Sequence, residues 1–336
     1  MNERTMLLLL GLAAHGCGEA ASEANPAGTT GDQPESMTSS GASSSGSTSG
    51  GEGSESTTGL LDPQDPVDPT EETGTGETGT DEVPSRCEVT ALTVTCTHHS
   101  ETVFTGLTGI SPREVHWQVP LGEAPPSGWP VAILFQGSLF TAETFWVVLQ
   151  SDSLGMRHQG LLTKSLLDAG FAVVTPEAHL GGFTAWETNV PPMSELWEAS
   201  ADHQFMLDIF EAIEQEDFGP LDTRRMYAAG ISSGGYMTSR MDLAYRDRFR
   251  ALAIQSASWA TCVGPVCQVP EMDPAHLPTL FLHGEVDDIV PVETMLAYRN
   301  ALDVVGVETK TIVDPGVDHA WLPEAPEEIT GWFEAH

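Results

Sequence analysis

The sequence predicts an α/β domain with a mostly parallel sheet covered by helices on both faces. Three observations carry that prediction. Short apolar, β-branched runs alternate with amphipathic stretches from Val131 to the C-terminus, and strand–helix alternation calls for parallel strands joined by crossovers. The run Pro130–Phe135 is continuously apolar, as in a strand buried on both faces. A Gly-flanked Ser turn, Gly230-Ile231-Ser232-Ser233-Gly234, separates one such run from the helix-like segment after it.

In chain order, Cys87–Cys96 alternates and is rich in β-branched residues, which predicts a strand or hairpin. Glu114–Val119 and Val131–Phe135 follow as strands, the second ending in Gln136-Gly137-Ser138. Gly160–Ala169 is helical and is closed by Gly170; Phe171–Thr175 is a strand closed by Pro176. A long loop from His179 to Ala201 holds Trp186 and Trp197. Asp202–Gln215 carries Phe205, Met206, Ile209, Phe210 and Ile213 at helical spacing. Then come a strand at Arg225–Ile231, a helix over about Tyr236–Tyr245 and strands at Leu252–Ser256 and Leu277–His283. A helix at Val292–Val305, a strand at Val307–Val313 and a last helix from Pro326 complete the chain.

The chain has 336 residues and a formal net charge of −36, which suits one large domain with an appendage. With only 13 Lys and Arg it is a poor partner for nucleic acid, whose binding depends on neutralising phosphates. The N-terminal apolar run, Met6–Ala14, is far short of the ~20 residues that span a bilayer. Residues 1–17 read as an export signal: Arg4, the apolar run, then small residues up to Cys17. The segment resembles a bacterial lipoprotein signal, in which Cys17 would be lipidated and would anchor the mature chain to a membrane. Residues 18–85 hold Ser, Thr, Gly, Pro and 14 acidic residues but no Lys or Arg. Such a segment cannot bury enough apolar surface to order itself and is expected to be a disordered tether, with an end-to-end distance of about 45 Å. The catalytic domain is expected at 86–336.

Besides Cys17, four cysteines fall into two close pairs, Cys87/Cys96 and Cys262/Cys267. In an exported protein such pairs read as disulfides, each contributing about 2–3 kcal/mol on a chain-entropy argument. Neither pair has metal-ligand spacing. His98 and His99 lack a third ligand and read as solvated loop residues, so no metal site is expected.

The Ser turn has the strand–turn–helix context of a nucleophile elbow. Gly230 and Gly234 sit two residues either side of Ser232, where a Cβ would crowd the turn. The helix that starts there offers free N–H groups to a developing oxyanion. A serine needs a base, and the base is usually a histidine oriented by a carboxylate. Four histidines follow Ser232: His276, His283, His319 and His336. His319, in the loop after the last strand, is the candidate base, because strand C-termini share one sheet edge. His283 reads as a structural residue of its own turn. The acid lies in the loop Gly284–Pro291, where Asp287 and Asp288 compete with Glu285 behind them; Asp318 is a remote alternative. The oxyanion donors are expected to be Ser233 N–H and an N–H of the loop after Phe135, at Ser138 or Leu139.

Three stretches together resemble secreted polyhydroxybutyrate depolymerase-like and feruloyl or acetylxylan esterase-like members of the α/β-hydrolase superfamily. They are Leu221–Arg225 with G-I-S-S-G-G-Y-M-T, L-H-G-E-V-D-D-I-V-P at Leu282–Pro291, and D-H-A-W at Asp318–Trp321. The resemblance spans roughly Glu114 to Phe333. It implies an α/β-hydrolase fold and places the nucleophile on Ser232, the acid on Asp287 and the base on His319. Where the family commonly has His-Gly, this chain has Gln136-Gly137. The resemblance also implies hydrolysis of an ester substrate through an acyl-serine intermediate, without metal or organic cofactor. The esters would be extracellular, of polyhydroxyalkanoate, feruloyl or acetyl-polysaccharide type. Trp186 and Trp197 are then candidates for an aromatic substrate wall and Trp321 for the pocket beside the base, with ordinary packing the alternative for each. A peptidase of the same fold and an inactive surface binding module are the competing readings.

Overall fold

A computed structural model describes residues 84–103, 112–179 and 184–336. The expected signal, Cys17 and all of the expected tether except Pro84 and Ser85 lie outside the described residues. Among the described residues the main sheet has eight strands: β3 (His99–Val103), β4 (Arg113–Gln118), β5 (Trp129–Phe135), β7 (Ala172–Pro176), β8 (Leu221–Ile231), β9 (Phe249–Gln255), β10 (Thr279–Gly284) and β11 (Thr309–Asp314). Their spatial order is β11-β10-β9-β8-β5-β7-β4-β3. From β11 to β7 all neighbours are parallel; β4 is antiparallel to both β7 and β3. A small antiparallel sheet is made of β1 (Cys87–Val89), β2 (Thr93–Cys96) and β6 (Val147–Leu149).

The alternation of β5 shows how the sheet is clothed. Ala132 and Leu134 point to one face, where α1 (Met156–Asp168) and α5 (Ala325–Ala335) cover them with Leu162, Leu166, Ile329 and Phe333. Val131, Ile133 and Phe135 point to the other, against α2 (Ala201–Glu214) and α3 (Ser233–Tyr245), which supply Phe205, Met206, Ile209, Met237 and Met241. On that same face α4 (Val292–Val304) packs Met295, Tyr298 and Leu302 on Ile254 and Phe281. Each such apolar side chain contributes about 1.5–3 kcal/mol by leaving water. The N-cap Ser200 starts α2, its hydroxyl accepting from His203 N–H at 3.0 Å. Among the described residues no helix is long and apolar enough to cross a membrane.

Two parts of the sequence reading are corrected. His99 opens β3 and its ring lies 4.6 Å from Trp117, while His98 stacks on Trp146 at 5.0 Å. His99 is thus solvated, as expected, but stands in a strand, and His98 lies in a loop but is half-buried against an indole ring. The strand β6, short and half-exposed, was not foreseen. The cysteine pairs do form disulfides: Cys87–Cys96 joins directly opposed positions of the β1–β2 hairpin, and Cys262–Cys267 closes a loop beyond β9.

The close approach of α3 to the sheet depends on two glycines. A Cβ on Gly234 would lie 2.1 Å from Phe135 O, and one on Gly230 would lie 2.4 Å from Gly234 O. Both obstacles are backbone, so neither can swing away. Gly234→Ala is therefore expected to lower stability by at least ~3 kcal/mol, or to prevent folding, as read by urea unfolding. A loss below ~1 kcal/mol would mean that α3 can lift off β5 at little cost.

Candidate active site

The C-terminal ends of the parallel strands share one edge, and the candidate residues lie in the loops that leave it. Ser232 sits between β8 and α3 with φ 56° and ψ −123°, a conformation rarely adopted by an L-residue. Its backbone is locked there: its N–H donates to Gln255 O at 3.1 Å and its carbonyl accepts from Tyr236 N–H at 3.0 Å. The serine is half-buried.

His319 and Asp287 come from adjacent strands. The parallel pairing of β10 with β11 sets Gly284 beside Asp314, and Glu285 N–H then donates to Asp314 O at 2.8 Å. That register brings the two loops together, and His319 Nδ1 lies 2.8 Å from Asp287 Oδ2. The other oxygen, Oδ1, accepts from Ile289 N–H (3.0 Å) and Val290 N–H (2.8 Å). His283 Nε2 donates to Val290 O at 2.7 Å and lies 3.3 Å from Asp287 Oδ2. Burial alone would raise the Asp287 carboxyl, but the donors of His283, His319 and Val290 outweigh it and hold the group well below the usual carboxylate range. An ionised Asp287 only accepts, so His319 carries its proton on Nδ1. Its Nε2 is the basic nitrogen, buried and without a hydrogen-bond partner among the described residues. Asp288, Glu285 and Asp318 are exposed.

Ser232 and His319 line the same shallow cleft. Ser138 and Gly137 form one side; Phe140, Leu154, Met156, Ile231 and Trp321 make most of the rest apolar, with Gln159 beside them. Trp321 is fixed by its Nε1–H to Gln159 Oε1 at 2.8 Å and its backbone N–H to Leu154 O at 2.9 Å.

Ser233 is the first residue of α3, so its N–H has no acceptor within the helix. Of the two alternatives in the loop after β5, Leu139 is ruled out as a free donor, because its N–H is committed to Thr184 O at 2.8 Å. Ser138 borders the cleft. The proposed aromatic wall is also corrected. Trp186 is fully buried, edge-on to Phe135 with its Nε1–H on Gln136 O at 3.1 Å. Trp197 is buried beneath Arg240, with its Nε1–H on the Tyr245 hydroxyl at 3.2 Å. Neither borders the cleft, and both are core residues. Among the described residues no cluster of His, Cys, Asp and Glu is arranged to hold a metal ion.

One residue of the site was missed in the sequence. Gln255 ends β9 fully buried. Its carbonyl holds Ser232 N–H, its Nε2 donates to Ala320 O at 2.8 Å, and its Oε1 accepts from Leu322 N–H at 3.3 Å. It ties the serine turn to the His319 loop. A glutamine closing an apolar strand was the available signal.

A parallel sheet with a strained serine turn, and a carboxylate-bound histidine on the same edge, define an α/β-hydrolase. The chain belongs to the dienelactone hydrolase family of that superfamily, whose pattern matches residues 136–332, and it is an ester hydrolase. It is 43% identical over 244 residues to the poly(3-hydroxyoctanoate) depolymerase of Pseudomonas fluorescens, covering 72% of this chain and 86% of that protein. It is 25% identical over 202 residues to the esterase YjfP of Escherichia coli K12, covering 51% and 80% respectively. The fold also matches the crystal structure of the S-formylglutathione hydrolase FrmB from Staphylococcus aureus. That match has a TM-score of 0.50 at 15% identity, over 70% of this chain and 96% of that one.

Proposed function

We propose that the protein is a serine esterase acting through an acyl-enzyme on esters of hydroxyalkanoic acids. Ser232 Oγ attacks the ester carbonyl while His319 Nε2 takes its proton, and Asp287 holds the imidazole and balances its charge. The N–H groups of Ser233 and Ser138 stabilise the oxyanion. The alcohol leaves with the proton from His319, and water then repeats the sequence on the acyl-serine.

The observation that carries this reading is His319, which lines the cleft with Ser232: its buried Nε2 has no partner among the described residues, and its Nδ1 is bound to an ionised Asp287. Apolar walls of Phe140, Leu154, Met156 and Ile231 favour an aliphatic acyl group over a sugar. The 43% identity to a depolymerase of poly(3-hydroxyoctanoate) supports a polyester of this kind. The two disulfides fit an oxidising compartment, and with the signal-like residues 1–17 they support an exported enzyme held through lipidated Cys17.

Labelling with a fluorophosphonate probe tests the chemistry. Wild type is expected to label and to hydrolyse 3-hydroxyoctanoate oligomers faster than feruloyl or acetyl-xylan esters. Ser232→Ala and His319→Ala are expected to lose labelling. A folded wild type that does not label would overturn the proposal.

A further inference from the structure

The loop that carries Ser138 is tied at both ends to one carboxylate. Glu177 follows β7, the strand beside β5. Its backbone is fixed by β4: its N–H donates to Glu114 O at 2.9 Å, and its carbonyl accepts from Arg113 Nε at 2.8 Å. From there the side chain reaches across the strand ends. Oε1 accepts from Gln136 Nε2 at 3.2 Å and Oε2 from Ala142 N–H at 2.7 Å. Gln136 directly follows β5, and Ala142 begins the next helical turn. Gln136 is fully buried, and its Oε1 has no partner among the described residues. The loop between lies against the nucleophile: a Cβ on Gly137 would be 3.5 Å from Ser232 Cβ.

We propose that Glu177, as the carboxylate, is a positioning residue for ester hydrolysis: it clamps both ends of the Gln136–Ala142 loop so that Ser138 N–H faces the oxyanion on Ser232. The inference rests on the oxyanion role proposed for Ser138. Both carboxylate oxygens act as acceptors, so the clamp is complete only in the ionised state. Protonation places a hydrogen on one of them. Ala142 N–H then loses its charged acceptor or the Gln136 amide turns over, and a charge-assisted bond roughly twice as strong as a neutral one is given up.

The surroundings set when that happens. Arg113 and Glu114 face Glu177 from β4 and Glu143 from the helical turn, and Arg113 also binds Asp202 at 2.7 Å, so its charge is divided. Burial is the largest influence and pushes the Glu177 carboxyl up to about 7; the Ala142 N–H and Arg113 oppose it, while Glu114 and Glu143 add to it. The folded state therefore holds this proton more tightly than the unfolded chain does. Ionising the group as pH rises from its ordinary value of 4.5 through about 7 weakens the fold.

The test is the pH dependence of kcat/KM on a soluble p-nitrophenyl ester for the full chain. Two groups must be in the right state on the acid limb, His319 neutral and Glu177 ionised. The wild-type slope of log kcat/KM against pH is thus expected to exceed 1 between about pH 7 and 6, reaching about 1.3–1.5 because the protonated clamp keeps about a tenth of the rate, and to return to about 1 below that. Glu177→Gln is expected to reduce that slope to about 1 and to lower kcat about tenfold at high pH with KM within about twofold, since a misplaced oxyanion donor is felt in the transition state. Glu177→Asp is expected to restore the steeper limb. A wild-type slope that nowhere exceeds 1, which needs no variant, would overturn the inference and leave the Ser232 chemistry standing. So would Glu177→Gln with wild-type kcat, or with a lower kcat and an unchanged slope. A fully active Ser232→Ala would overturn the mechanism and the clamp with it.

Discussion

Replacing Ser232 by glycine is expected to abolish ester turnover and at the same time raise the midpoint of thermal unfolding. The hydroxyl is the proposed nucleophile. Without it the oxyanion donors and the cleft remain but nothing forms the acyl bond, so kcat should fall on the order of 10⁶-fold. The stability gain comes from the backbone. A non-glycine residue at φ 56°, ψ −123° is strained by about 1–3 kcal/mol. It is held there by Gln255 O, by Tyr236 N–H and by the fit of Gly230 and Gly234 against the chain. Glycine adopts this conformation freely, and its greater freedom in the unfolded chain offsets only ~0.4–1 kcal/mol of the relief. The net gain is about 1 kcal/mol, or roughly 2–4 °C for a domain of this size. Ser232→Ala is the control: it should be equally inactive but gain nothing, because alanine keeps the strain. Calorimetry on the three proteins decides the matter. A less stable glycine variant would show that no strain is stored at the turn.

The fold was legible where local pattern dictates structure. The apolar run of β5 had to be buried on both faces, and the period of Phe205, Met206, Ile209 and Ile213 had to place one face of α2 on the sheet. The serine turn was legible for a steric reason, since only glycines fit at 230 and 234. What the sequence left open depended on contacts between distant segments. Local pattern did not separate Asp287 from Asp288, and only the family resemblance placed the acid on Asp287. The choice is made by a turn in which Asp287 Oδ1 takes the N–H groups of Ile289 and Val290, leaving Oδ2 for His319. Leu139 and Ser138 could not be separated until Thr184 was seen to occupy the Leu139 N–H. Trp186 and Trp197 misled because an aromatic residue in a long loop gives no sign of its direction. Both indoles turn inward, onto Gln136 O and the Tyr245 hydroxyl, as buried Trp N–H groups usually find a partner. Gln255 was overlooked because its partners lie in two segments distant in sequence, the serine turn and the His319 loop.

Asp287→Asn is expected to lower kcat by about 10⁴-fold while leaving KM nearly unchanged. Every group around this carboxylate is a donor: Ile289 N–H, Val290 N–H, His319 Nδ1–H and, at 3.3 Å, His283 Nε2–H. An amide offers one oxygen and one NH₂, so in either orientation a donor meets a donor. If the oxygen keeps the two backbone N–H groups, the NH₂ faces His319, whose Nδ1 must then give up its proton. The proton moves to Nε2, and the nitrogen that should take the Ser232 proton is already occupied. The pH dependence of stability gives an independent check. The folded-state value of Asp287 lies below its unfolded value of about 3.9, so its contribution is fully present above that value and is lost as pH falls through the folded value. The gap in stability between wild type and Asp287→Asn should therefore narrow as pH falls below about 4. Asp288→Asn, at an exposed position in the same loop, should keep kcat within about twofold. Equal losses at the two positions would mean that the loop as a whole orients His319. A loss at Asp287 alone would assign the orientation to one carboxylate oxygen.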